Sequence, residues 1–164
     1  MRRPASTAVS LRASAYGDID DMIRIIQAIW IDTYDELTER RMPPHRFLQA
    51  LADTRFSLTS GIERTTVACC DGRVVGWSWR EHAYVEDLWV DPPQQGRGIG
   101  KLLLDHTLSL MRADGYRTAS LDCIAPNWRA RRFYEREGWR PARYYMRTIW
   151  PGVQAAFMRY EHDL

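Results

Sequence analysis

"QQGRGIGKLLL", residues Gln94 to Leu104, puts glycine at alternate positions immediately ahead of a run with strong helical character. Glycine costs a helix interior roughly 1 kcal/mol relative to alanine, so Gly96, Gly98 and Gly100 need a reason to stand there. The stretch before them, "LWVDP" (Leu88 to Pro92), reads as the end of a strand. After them, Ile99, Leu102, Leu103 and Leu110 mark the apolar stripe of a helix that stops near Asp114-Gly115. A strand entering a helix through a glycine turn leaves several backbone N–H groups unpaired and pointing the same way. With the helix dipole they form an anion cradle, and the missing side chains let a phosphate approach the main chain. A close helix–strand contact is the simpler use of the same glycines.

Two familiar phosphate motifs do not fit. The P-loop needs glycine, four residues, then Gly-Lys-Ser/Thr, but Gly96 is one position too close to Gly100 and Leu102 follows Lys101. The dinucleotide fingerprint would need glycine where Lys101 stands. Neither nucleotide hydrolysis nor hydride transfer is supported.

Outward from the turn, "VSLR" (Val9 to Arg12) is a short strand, and Asp18 is expected to cap a helix carrying Ile19, Met22, Ile23, Ile26 and Trp30. The chain breaks at Pro43-Pro44 and resumes as a second helix. "RTTVACC" and "RVVGWSWR" flank Asp71-Gly72, a hairpin signal, and "HAYVEDLWV" is a third strand. "RTASLDCI" is another strand. "APNWRARRFYEREGW" is a helix with Asn127 as N-cap and Gly138 past its end, and "RYYMRTI" and "AFMRYEH" close the chain as strands. The strand–helix–strand unit around residues 83 to 123 calls for a right-handed parallel crossover, and the hairpins call for antiparallel neighbours. The result is a mixed α/β sheet in one domain spanning residues 1–164.

Composition bounds the partners. A 164-residue chain with 45% hydrophobic residues and a formal charge of +2 reads as globular and not as a polyanion binder. Nearly all the positive charge is arginine, since Lys101 is the single lysine. Cys69, Cys70 and Cys123 are an odd number without metal-ligand spacing, which suits buried reduced thiols. His45, His82, His106 and His162 are scattered, so no metal is expected. There is no signal-peptide core and no run approaching a membrane span. The expectation is a soluble cytoplasmic protein with neither nucleic-acid nor membrane partners.

Gln95-Gly96-Arg97-Gly98-Ile99-Gly100 follows the pattern Q/R-x-x-G-x-G/A, and "NWRARRFYEREGW" (Asn127 to Trp139) follows N-x-x-A-x-x-F-Y-E-x-x-G-F/W. Together, in this order, the two segments resemble the pyrophosphate-binding motif and second signature of the GCN5-related N-acetyltransferases, which use acetyl-coenzyme A. Pro93 and Gln94 depart from the acidic residue and aromatic common in that family, and Trp139 replaces the commoner phenylalanine.

The resemblance implies a mostly antiparallel sheet of about seven strands with about four helices, splayed open between the strands at 83–90 and 118–123. Residues 96 to 101 (Gly96, Arg97, Gly98, Ile99, Gly100, Lys101) would offer amides to the pyrophosphate, with Gln95 ahead of them and Arg97 adding charge. Leu88, Trp89 and Val90 would pair with the pantetheine as an extra strand. Asn127, Ala130, Phe133 and Tyr134 would flank the cofactor, and Arg136 would meet its 3′-phosphate. A homodimer is plausible from the family.

Acetyl transfer to an amine needs a neutral nucleophile. A lysine-like amine with a pKa near 10.4 costs roughly 4 to 5 kcal/mol to deprotonate at pH 7, so a base or a water wire to one is required. Glu86 and Asp87 interrupt an otherwise apolar strand just ahead of the cofactor, where carboxylates are expensive unless useful. Strand alternation puts them on opposite faces. The first assignment is Glu86 as base through water and Asp87 as charge partner for the amine. A bulge in this strand would reverse them. Tyr134 is the candidate acid for the departing thiolate. Trp30, Tyr34, Trp77 and Trp79 are candidates for an aromatic acceptor pocket suited to a cationic amine. "YVEDLWV" also looks like the same strand in polyamine- and aminoglycoside-type members. A protein N-terminus or lysine as acceptor, or a non-catalytic acyl-CoA sensor, are the alternatives. His82 is a minor proton-relay candidate.

Overall fold

The computed structural model describes residues 8–38, 43–150 and 152–164, without the side chains of 31–38 and 150. Its elements run β1 (Ser10–Ala13), α1 (Ile19–Thr38), α2 (Pro44–Ser60), β2 (Thr65–Cys70), β3 (Arg73–Glu81), β4 (Tyr84–Val90), α3 (Ile99–Ala113), β5 (Thr118–Ile124), α4 (Trp128–Arg136), β6 (Arg140–Trp150) and β7 (Val153–Asp163). The strands form one seven-stranded sheet in the order β1-β2-β3-β4-β5-β7-β6. Only β4 and β5 pair in parallel, and every other neighbouring pair is antiparallel. This is the mixed sheet with a central parallel pair that the sequence indicates. The last strand, however, inserts between β5 and β6 instead of closing the edge.

The local signals act as their chemistry requires. Asp71 and Gly72 both take positive φ (51° and 75°), the conformation of a tight two-residue hairpin turn. Gly138 adopts φ 86° just past α4, where a side chain would be strained. Asp18 does not cap α1 directly. It ends the short 3-10 turn Tyr16–Asp18, accepts from the Ala15 amide at 2.8 Å and pairs with Arg12 at 2.7 Å. Leu102 also leaves its expected stripe, at 40% exposure. The buried face of α3 is instead Ile99, Leu103, Leu104, Thr107, Leu108 and Met111.

Both faces of the sheet are covered. Helices α1 and α2 pack on Val67, Val74 and Trp77. On the other face α3 packs through Ile99 and Leu103 on Ala68 and Val75. A third cluster joins α3 to β5, β7 and the inner side of α4 through Leu104, Leu121, Cys123 and Tyr160, with Ala130, Phe133 and Tyr134 against it. Alternation therefore turns Leu121 and Cys123 toward α3 and α4, and Asp122 to the opposite face.

Candidate active site

The parallel pairing of β4 and β5 is short. It joins Tyr84 to Ser120 and Val85 to Leu121, and then stops. Beyond Val85 the two strands diverge, so the β5-facing edge of residues 86–90 has no strand partner. On the opposite edge β4 stays paired to β3 as far as Val90. The opening leads into a groove of about 600 Å³ between the β4 edge, the N-terminus of α3 and the inner face of α4, a volume suited to a small-molecule ligand.

The glycines build one wall. Gly96 and Gly98 take φ 75° and 82°, values that L side chains rarely adopt, and Gly98 is the N-cap of α3. Among the described residues, the amides of 96–101 donate to no backbone carbonyl, while Gly98 O already accepts from Leu102 N at 3.0 Å. Gly100 serves differently: a side chain there would meet Phe133 at 3.6 Å and Val90 at 3.7 Å. The left-handed backbone requires glycine at 96 and 98, whereas at 100 a side chain would make only ordinary contacts.

Most of the sequence candidates line this groove, namely Leu88 to Val90, Gln95, Gly96, Gly98 to Lys101, Asn127, Ala130, Phe133, Tyr134 and Arg136. Asn127 is also the N-cap of α4, its Oδ1 accepting from Ala130 N at 3.1 Å. Gln95 Nε2 donates to Val90 O at 3.1 Å and ties the turn to the strand end. Arg97 is not in the lining; it is exposed and donates to Gln94 Oε1. Ile29, Arg129 and Glu137 join the lining without having been read from the sequence. Glu137 pairs with Lys101 at 2.9 Å, linking α4 to α3.

Strand β4 carries a bulge. Trp79 pairs with Asp87 but Arg80 with Val85, leaving Glu86 as the extra residue. Alternation is thereby reset: Val85 and Leu88, three apart, both pack into the α3–α4 cluster. Asp87 turns to the α1 side, where its Oδ1 accepts from Trp89 Nε1 at 2.8 Å. Burial pushes the Asp87 carboxyl up to about 6, the Trp89 bond opposing the rise and the Glu86 charge adding to it. Glu86 is more exposed, and its carboxyl is raised by burial and by Glu81 and Asp122, with Arg147 opposing. Tyr134 sits among Phe133, Trp139 and Tyr160, at ring separations of 5.2, 6.1 and 6.0 Å. Burial first, then the charges of Cys123, Asp87 and Tyr84, raise its phenol and keep it protonated.

The aromatic acceptor pocket is not assembled as expected. Trp77 is wholly buried and packs in the α1–α2 core. Trp79 lies against Gly61, where a side chain would come within 2.8 Å of its Nε1. Trp30 packs edge-to-face on Phe47 at 6.1 Å. The Tyr34 side chain lies outside the described residues. His82 stands in the β3–β4 turn, its Nδ1 3.2 Å from Tyr116 Oη, and does not line the groove.

A model of the acetyltransferase (GNAT) family matches residues 19–139. The chain belongs to that family. A mycothiol acetyltransferase of Beutenbergia cavernae is 45% identical over 51 residues, which is 31% of this chain but spans only 17% of that relative's length. Among solved structures, a GCN5-related N-acetyltransferase from Rhodopseudomonas palustris superposes with a TM-score of 0.77 at 20% identity, over 99% of this chain and 100% of its own. The PaiA N-acetyltransferase of Thermoplasma acidophilum, in complex with coenzyme A, gives 0.73 at 17% identity, covering 96% and 99%. At these identities the structures establish the shared fold. Among the described residues no helix is long and apolar enough to cross a membrane.

Proposed function

We propose that this chain transfers the acetyl group of acetyl-coenzyme A to a primary amine of a small molecule, by direct attack within a ternary complex. The observation that carries this reading is the divergence of β4 from β5 beside the glycine turn, with Tyr134 lining the groove and the Asp87 charge acting on its phenol. The residues fit the donor: the free amides of 96–101 suit a pyrophosphate, the unpaired edge of 88–90 suits the amides of a pantetheine arm, and Arg136 on the groove wall suits the 3′-phosphate. The coenzyme A complex of the T. acidophilum neighbour is in keeping with this.

The bulge reverses the first assignment of the carboxylates. Asp87 is the better base, because a carboxyl near 6 is largely ionised at neutral pH yet far more basic than an ordinary aspartate. Glu86, at the mouth, is the charge partner that draws the ammonium form in. A main-chain N–H among 88–90 polarises the thioester carbonyl. Tyr134, protonated throughout the neutral range, gives its proton to the leaving thiolate. The nearby Cys123 thiol is pushed by burial to about 12. That makes it a poor nucleophile, which favours direct transfer over an acyl-enzyme.

Calorimetry with acetyl-CoA on the wild type and on Gly98→Trp tests the donor site, and an amine panel with free-thiol detection tests turnover. Binding by the wild type and its loss in a folded Gly98→Trp variant are expected. Absence of wild-type binding would sink the reading, and binding with no turnover across the panel would point to an acyl-CoA sensor.

A further inference from the structure

The face of the sheet away from α3 and α4, where an amine would enter the opening, is built around one saturated carboxylate. Asp122 is 4% exposed. It accepts from Arg159 Nε and Nη2, both at 2.8 Å, from Tyr84 Oη at 2.8 Å and from Tyr145 Oη. The four bonds commit the Asp122 carboxylate to Arg159 and the two phenols and leave it no role toward a ligand.

Order propagates outward from this anchor. The Tyr145 ring, fixed through its hydroxyl, stacks on Phe157 at 6.0 Å and 29°. Phe157 in turn carries the Arg147 guanidinium 3.9 Å from its ring centroid. Stacking of this kind fixes the plane of the guanidinium and leaves its in-plane N–H groups directed outward. Among the described residues no carboxylate lies within ion-pairing distance of Arg147. Arg143, two residues before Tyr145 on the same strand face, stands over the Tyr145 ring at 5.5 Å. Glu86, on the β4 bulge, is the carboxylate on which the Arg147 charge acts.

A held cation with no ion-pair partner among the described residues, near a carboxylate at the opening, is complementary to a ligand that carries both charges. We infer that the acceptor is a primary amine bearing an anionic group, a carboxylate or a phosphate, and that Arg147 binds the anion while the amine lies toward Glu86 and Asp87. The inference rests on the acetyl-transfer reading above. It disfavours a polyamine, whose second charge would meet Arg143 and Arg147 instead of an acidic pocket.

The test uses matched amines with free-thiol detection: the common α-amino acids against their amides for the carboxylate, and phosphoethanolamine against ethanolamine for the phosphate, with spermidine as the polycation. An acid should exceed its neutral counterpart by roughly tenfold or more in kcat/KM, the scale of one charged hydrogen bond. The preferred pair identifies the anion. Arg147→Gln should erase the preference by raising KM for the anionic member at unchanged kcat, leave the neutral member unaffected, and be partly rescued by Arg147→Lys. Preference for amides or spermidine, turnover of no anionic amine, or an equal fall for both members in Arg147→Gln would overturn the inference. Acetyl-CoA calorimetry on the same preparations separates the two failures, because retained donor binding confines the failure to the acceptor and lost binding removes the transferase reading itself.

Discussion

The two sides of the splayed strand pair are built by different means. The donor side is mostly main chain: free amides at a glycine turn, an unpaired strand edge and the wall of one helix. The proposed acceptor side is side chain, a carboxylate on β5 holding phenols and an arginine from β4, β6 and β7. Main-chain recognition can be kept while almost every side chain changes, so it suits a ligand shared across a family. Side-chain recognition assembled from four strands suits what is particular to one member.

The largest expected effect probes the junction of the two sides. Asp87→Asn should lower kcat by roughly 100-fold or more, the scale of a lost general base, with acetyl-CoA affinity unchanged by calorimetry. In the wild type, kcat/KM should climb as pH rises through about 6 and then level off. That limb should be missing in the variant.

Next in size is the acceptor side alone. Burial by itself would raise the Asp122 carboxyl, but the Arg159, Tyr145 and Tyr84 donors outweigh it and hold it below the ordinary carboxylate range. Its contribution to stability is therefore present above the unfolded value and lost as pH falls through the folded one. Asp122→Asn should cost roughly 2 to 3 kcal/mol at pH 7 by denaturant titration. The gap to wild type should close in acid, and donor binding should be intact.

The donor side gives a smaller but sharper contrast between two glycines two residues apart. Gly98→Ala forces a side chain onto φ 82° and should cost about 1 to 2 kcal/mol. Gly100→Ala has ordinary contacts and a helical backbone, so it should be neutral or slightly stabilising. Equal melting temperatures for the two variants would contradict the separate roles given to these positions.

The last effect has the opposite sign to the first. The Asp87 pKa is raised on folding, so the associated stability is full below 3.8 and lost as pH rises through about 6. Asp87→Asn should thus be more stable than wild type at pH 7, with the difference shrinking as pH falls toward 4. The same substitution would weaken catalysis and strengthen the fold.

The contrast also explains what could be read in advance. Gly96 to Lys101 and Asn127 to Tyr134 are contiguous motifs whose local backbone geometry can be read from sequence, and most of their residues line one groove. The bulge at Glu86 is a register offset between β3 and β4, and nothing in "YVEDLWV" by itself reveals which residue is extra. Trp77 and Trp79 resembled pocket residues because burial against a ligand and burial in a core demand the same side chain. Arg147 has no local signature. Its significance depends on Phe157 being its neighbour, and that depends on β7 pairing between β5 and β6.

Lys101 stands at the mouth of a groove assigned to an activated thioester, and it is the chain's single lysine. Hydrogen bonds from Glu137 and then Asp105 raise its pKa above the ordinary lysine value. A protonated ammonium has no lone pair with which to attack an acyl donor. On the proposed reading, the clasp between the two helices keeps this amine in the form that cannot be acylated.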